Sequence, residues 1–83
     1  MEHWREIQET VQKSIKKSEF ITWIAPLYFD KIDLDTLYIN APTQFVAGFI
    51  KRNFFSVLLS ATQQFYPNIQ DVKINIFSIF LTF

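Results

Sequence analysis

The 83-residue chain has no cysteine, one glycine, one histidine and no net charge. Each scarcity removes a class of function. Without cysteine there is no disulfide framework and no thiolate metal site, so a domain this small must hold together by its core. A single glycine excludes Walker and dinucleotide loops, which need several, and the GXXG clamp of an RNA-binding KH domain. The lone His3 lies near the N-terminus and reads as a solvated side chain, with metal ligation or base catalysis a minor alternative. No serine has a histidine partner in context for a triad. The chain is therefore read as a non-enzyme with no cofactor and no metal. Eight basic and eight acidic residues cancel, which argues against a bulk electrostatic nucleic-acid binder. Long hydrophobic runs are missing too. The longest apolar-rich stretch, Ile74 to Phe83, is about half the ~20 residues a membrane helix needs. The charged N-terminus lacks the apolar run of a signal peptide. The expectation is a cytoplasmic, soluble protein with no membrane partner.

What is abundant is aromatic. Half the chain is hydrophobic (49%) and ten residues are Phe, which rules out intrinsic disorder. A single small domain cannot bury so many large rings completely, so some are expected to face a partner.

Hydropathy patterning organises the chain. Over residues 2–17, Trp4, Ile7, Val11 and Ile15 recur at helical spacing. Acidic residues crowd the start and lysines the end, complementing the helix dipole. A short second helix, SEFITWI, is capped by Ser18 and stopped by Pro26, with Phe20, Trp23 and Ile24 facing the core. Leu27 to Ile32 and Thr36 to Ala41 read as strands around an Asp33-Leu34-Asp35 turn. Thr43 then caps a long helix, Gln44 to Phe65, with an apolar stripe wide enough to meet a sheet and a helix at once. Gly48 inside it suggests a close approach by another element. A turn at Tyr66-Pro67-Asn68 leads to a third strand, Val72 to Ile76. The order α-α-β-β-α-β predicts an α+β domain over residues 1–76. Residues 77–83 form an apolar extension, expected to continue an edge strand covered by a second copy or a missing segment.

Candidate contacts follow from position. Trp4 is either a core anchor or a self-association contact. Glu19 is either a surface charge complementing a helix dipole or part of a contact. Phe45 opens the long helix, as core or as an exposed anchor. Lys51 and Arg52 are either a solvated face or weak phosphate contacts. Asp30, Asp33 and Asp35 read as solvated turn residues.

The motifs EFITWIAPL (Glu19 to Leu27) and DTLYINAPTQFVAGFIKRNF (Asp35 to Phe54) resemble the N-terminal domain family of the bacterial replication initiator DnaA. The matching residues are Phe20, Trp23, Ile24, Pro26 and Leu27, then Thr36, Leu37, Ala41, Pro42 and Phe45, then Phe49, Ile50, Lys51 and Phe54. The sequence departs at Thr43, where Asn is usual, at Gly48, and at the apolar run Phe77 to Phe83. The resemblance implies a KH-like fold and an interaction module of replication initiation. It implies self-association, with another copy or with the full-length initiator, through Trp4. It implies contact with the replicative helicase DnaB through Glu19 and Phe45, and docking of initiation regulators. It further implies weak single-stranded DNA contact, for which Lys51 and Arg52 are the local candidates. Two other readings stay open: a free-standing KH-like module that binds single-stranded nucleic acid, or an antagonist of the full-length initiator.

Overall fold

The computed structural model describes residues 3–76. The extension at 77–83 lies outside them. Helix α1 spans Trp4–Gln12, α2 spans Lys17–Glu19 and continues as a π-helical turn over Phe20–Ile24, and strands β1 (Tyr28–Asp33) and β2 (Thr36–Ala41) form a hairpin. Helices α3 (Gln44–Asn53) and α4 (Phe55–Gln63) then lead to strand β3 (Asp71–Ile76). The fold is α+β in the expected order, with the third helical segment broken in two.

The sheet order is β1-β2-β3; β1 and β2 pair antiparallel, β2 and β3 parallel. A parallel neighbour requires a crossover, and α3 and α4 provide it. Side-chain alternation gives the sheet two unlike faces. Leu37, Ile39, Ala41, Val72 and Ile74 are buried beneath the helices. Tyr38 lies between Lys31 and Lys73 in the register, and the Lys31 ammonium sits 5.1 Å from the Tyr38 ring centre.

Strand β1 keeps two large side chains inward by an irregularity. Phe29 pairs with Ile39 and Ile32 with Leu37, although 29 and 32 differ by an odd number. The register shifts between Phe29 and Lys31, so Asp30 is the extra residue of a bulge. At the hairpin, Leu34 adopts a left-handed φ of 56° and is 84% exposed. Such a conformation costs a β-carbon residue about 1–2 kcal/mol.

Three expectations need correction. First, α1 stops at Gln12 rather than running to residue 17. Lys13 takes the cap, its N–H donating to the Thr10 carbonyl while the Ser14 N–H donates to that of Val11, and Lys16 and Lys17 open the next helix. The cap of that helix is Lys16, not Ser18. Second, the long helix breaks at Phe54, whose φ and ψ are −123° and 7°. One straight helix cannot lie along the sheet and also meet α1. The break lets α3 cover β2 and β3 while α4 packs on α1 and β3, with Phe54 buried at the joint. Third, a β-carbon at Gly48 would approach only the Arg52 Nη1, at 3.3 Å. That is the end of a flexible side chain one turn away, so no second element closes on Gly48 among the described residues.

The cap expected of Thr43 is present: its Oγ1 accepts from the Val46 N–H at 3.1 Å, worth about 1 kcal/mol. The core is continuous, joining Ile7 and Val11 of α1, Ile24, the inner sheet face, Ile50, Leu58 and Ile69.

Candidate interaction surface

Among the described residues no group of three or more His, Asp or Glu could hold a metal ion. Three depressions among the described residues are open to solvent. What stands out is a row of aromatic rings that runs from the core to the surface.

Its inner end is Phe54, buried at the α3–α4 joint. The Phe49 ring lies 6.0 Å from it. Trp23 stacks on Phe49 with ring centres 3.8 Å apart and planes 12° from parallel. Phe45 also lies against Trp23, at 5.9 Å and 46°. It is the outermost ring, 68% exposed. Phe45 and Phe49 are one helical turn apart on α3, which puts both on the flank facing Trp23. The geometry holds an exposed ring in place by packing on one side, the condition under which an aromatic loses little freedom when a partner covers it.

The local backbone explains the position of Trp23. Residues Phe20–Ile24 form a π-helical turn, closed by the Ala25 N–H donating to the Phe20 carbonyl at 2.8 Å. Wider turns of this kind often mark functional segments. Here it directs Ile24 into the core and leaves Ile21 58% exposed. A contact from α1 fixes its end: the Gln8 Nε2 donates to the Ile24 carbonyl at 3.2 Å.

Glu19 immediately precedes this turn. It is half-buried, and its Oε1 accepts from the Lys16 N–H at 3.0 Å. The carboxylate therefore has a structural task, satisfying an orphan donor at the start of α2. Its second oxygen has no protein partner in the described hydrogen-bond network.

The candidate residues fall into three places. Glu19 and Phe45 lie on neighbouring elements joined through Trp23. Trp4 is on α1, half-buried, with its ring 6.3 Å from Phe29 of β1. It is preceded by His3, whose ring stacks on Phe65 at 5.1 Å and whose Nδ1 is 3.5 Å from a Glu6 oxygen. Lys51 and Arg52 are exposed in the last turn of α3. Lys51 borders a groove between α3 and β3 that Lys73 and Asp71 also line. Of the aspartates in the hairpin, Asp35 accepts from the Thr36 hydroxyl at 3.1 Å.

Trp23 packs against the core as the sequence suggests, but it is only half-buried and also bridges to Phe45, a role that the apolar pattern alone does not reveal.

The comparisons with known proteins agree with this architecture. The profile of the DnaA N-terminal domain matches residues 1–64. The chromosomal replication initiator protein DnaA of Jannaschia sp. (strain CCS1) is 34% identical over 56 residues, 68% of this chain and 12% of the relative. That of Pelobacter propionicus is 33% identical over 58 residues, covering 70% and 13%. The chain thus spans about an eighth of the length of these curated relatives. Its fold matches a chain in the crystal structure of a HobA-DnaA (domain I-II) complex from Helicobacter pylori. The TM-score is 0.77 over 88% of this chain and 95% of that one, at 18% identity. With its profile matched over residues 1–64, the chain belongs to the DnaA N-terminal domain family.

Proposed function

We propose that this chain is the protein-interaction module of a chromosomal replication initiator. In this reading the surface formed by Trp23 and Phe45, with Glu19 on the adjoining α2, recruits the replicative helicase DnaB and docks initiation regulators. The α1 surface around Trp4 carries self-association. The observation that carries the reading is the exposed Phe45 ring seated on Trp23. Aromatic anchors of this kind, with a charge at the margin, supply most of the binding energy at protein interfaces. The Helicobacter pylori relative of the same fold was crystallised in a complex with HobA, which favours a protein partner for this chain too.

The role of Glu19 is separable by chemistry. Glu19→Gln keeps an oxygen to accept the Lys16 N–H and removes the charge; Glu19→Ala removes both. Glu19→Gln is expected to retain wild-type thermal stability and lose helicase binding in a pull-down. Glu19→Ala loses both, the stability by about 0.5–1 kcal/mol. If Glu19→Gln binds like wild type, the charge has no part in recognition. Trp4→Ala is expected to reduce self-association in sedimentation equilibrium without changing helicase binding.

A second reading has one observation in its favour. Lys51 and Lys73 border the same groove, so single-stranded DNA could lay its phosphates there. It requires an affinity that falls steeply with salt; undetectable or salt-independent binding removes it.

A further inference from the structure

Strand β3 closes the sheet on one side, so one edge of its backbone faces no strand among the described residues. An open edge is a template for pairing, and proteins that avoid pairing shield it with charge, proline or bulges. Between Val72 and Ile76 this edge has no proline and a single charge, Lys73. Its register with β2 runs unbroken from Asp71 to Ile76, without the bulge that distorts β1.

Beside the edge, between β3 and α3, run two adjoining depressions of about 250 and 330 Å³. They meet at Lys51, Ile74 and Asn75. Ala47 and Gly48 form the α3 wall of one, and Phe55 borders the other. The absence of a β-carbon at Gly48 keeps that wall low. A strand added alongside β3 would send every second side chain into this space.

We propose that the occupant is β3 of a second copy, paired antiparallel about a two-fold axis through Ile74, which joins two three-stranded sheets into one of six strands. The strand is self-complementary about that axis. In this register Val72 faces Ile76 of the second copy, and Ile74 faces its equivalent, so the helix-facing row of side chains is apolar. On the other face of the paired strands Lys73 meets Asn75, and no like charges meet. Moving the axis to Lys73 sets the two lysines against each other, which is unfavourable. Moving it to Asn75 leaves only Ile74 to Ile76 paired among the described residues. Ile76, 38% exposed at the end of the edge, gains a neighbour in the favoured register. This contact is separate from the one proposed at Trp4 and does not rest on it.

The test is made on the whole chain carrying Trp4→Ala, so that association through α1 is not what is measured. Lys73 and Asn75 are both exposed, so changing their charge leaves the core alone. Asn75→Lys sets a second lysine against Lys73 twice across the axis and is expected to weaken dimerisation roughly tenfold in sedimentation equilibrium. Asn75→Glu creates two opposite-charge pairs and is expected to strengthen it by a similar factor. The double variant Lys73→Glu, Asn75→Lys is expected to restore the dimer lost in Asn75→Lys. A chain that stays monomeric at millimolar concentration, or one whose association ignores the sign at residue 75, overturns the proposal.

Discussion

Replacing Phe45 by Ala is expected to reduce affinity for the replicative helicase by at least about tenfold while leaving the folded domain as stable as before. The two halves of this prediction have different physical sources. The ring is 68% exposed and packs against Trp23 on one side, so its removal opens no cavity. A surface change of this kind alters stability by no more than about 0.5 kcal/mol. A partner that covers the ring, in contrast, buries a large apolar surface already held in one orientation. Truncating such an anchor costs about 2 kcal/mol or more of binding free energy. Calorimetric titration with the helicase and a urea melt on the same sample measure both quantities. A variant that binds normally, or one that loses binding only because it has unfolded, would contradict the assignment. Phe45→Leu serves as a graded control, since it keeps apolar bulk and loses the ring.

The largest expected loss of stability lies in the centre of the sheet. Ile39 is fully buried in β2, the middle strand, with Phe29 of β1 on one side and Ile74 of β3 on the other. Ile39→Ala removes most of the side chain from a place where neither edge strand can move in without breaking its own ladder. The expected cost is about 2–5 kcal/mol. A domain of this size has a total stability of roughly 4–12 kcal/mol, so the variant should unfold near or below physiological temperature. Urea denaturation followed by tryptophan fluorescence provides the measurement. A loss below about 1 kcal/mol would mean that the sheet repacks and that the core is looser than its burial indicates.

These two residues show what the sequence could and could not reveal. Ile39 was legible because Leu37, Ile39 and Ala41 alternate with polar neighbours, and alternation needs no tertiary information. Phe45 was legible as a candidate because it follows Ala41-Pro42-Thr43, which sets the start of a helix, and because the family resemblance points to it. Its exposure was not legible, since an apolar residue on a wide stripe can face the core or solvent. The break at Phe54 was hidden for a related reason. Its helical periodicity is intact on both sides, and no Gly or Pro marks the joint; the break arises because α3 and α4 pack on different surfaces. The bulge at Asp30 and the π-helical turn at Phe20–Ile24 were hidden too, each being a one-residue adjustment that periodicity does not register. That turn sets how Trp23 is presented beside Phe45, so the part of the surface most dependent on exact geometry was the part least visible in the sequence.

The reading of Glu19 changes in a comparable way. On sequence alone its carboxylate could be a solvated charge, a dipole complement or a contact. The hydrogen bond from the Lys16 N–H shows that one oxygen is committed to the start of α2. A contact role would therefore use the other oxygen. Loss of binding on substitution by Ala alone would not distinguish contact from capping.

Whether the surface around Trp23 and Phe45 receives the helicase is decided by mapping the contact. The backbone amides of the ¹⁵N-labelled chain are followed by NMR while unlabelled replicative helicase is added. Glu19 to Trp23 and Gln44 to Phe49 are expected to shift or broaden first, with the amides of β1 and α4 unaffected. Perturbation confined to β1 and the open face of the sheet, or to the α3–β3 groove, would place recognition elsewhere and rule this surface out.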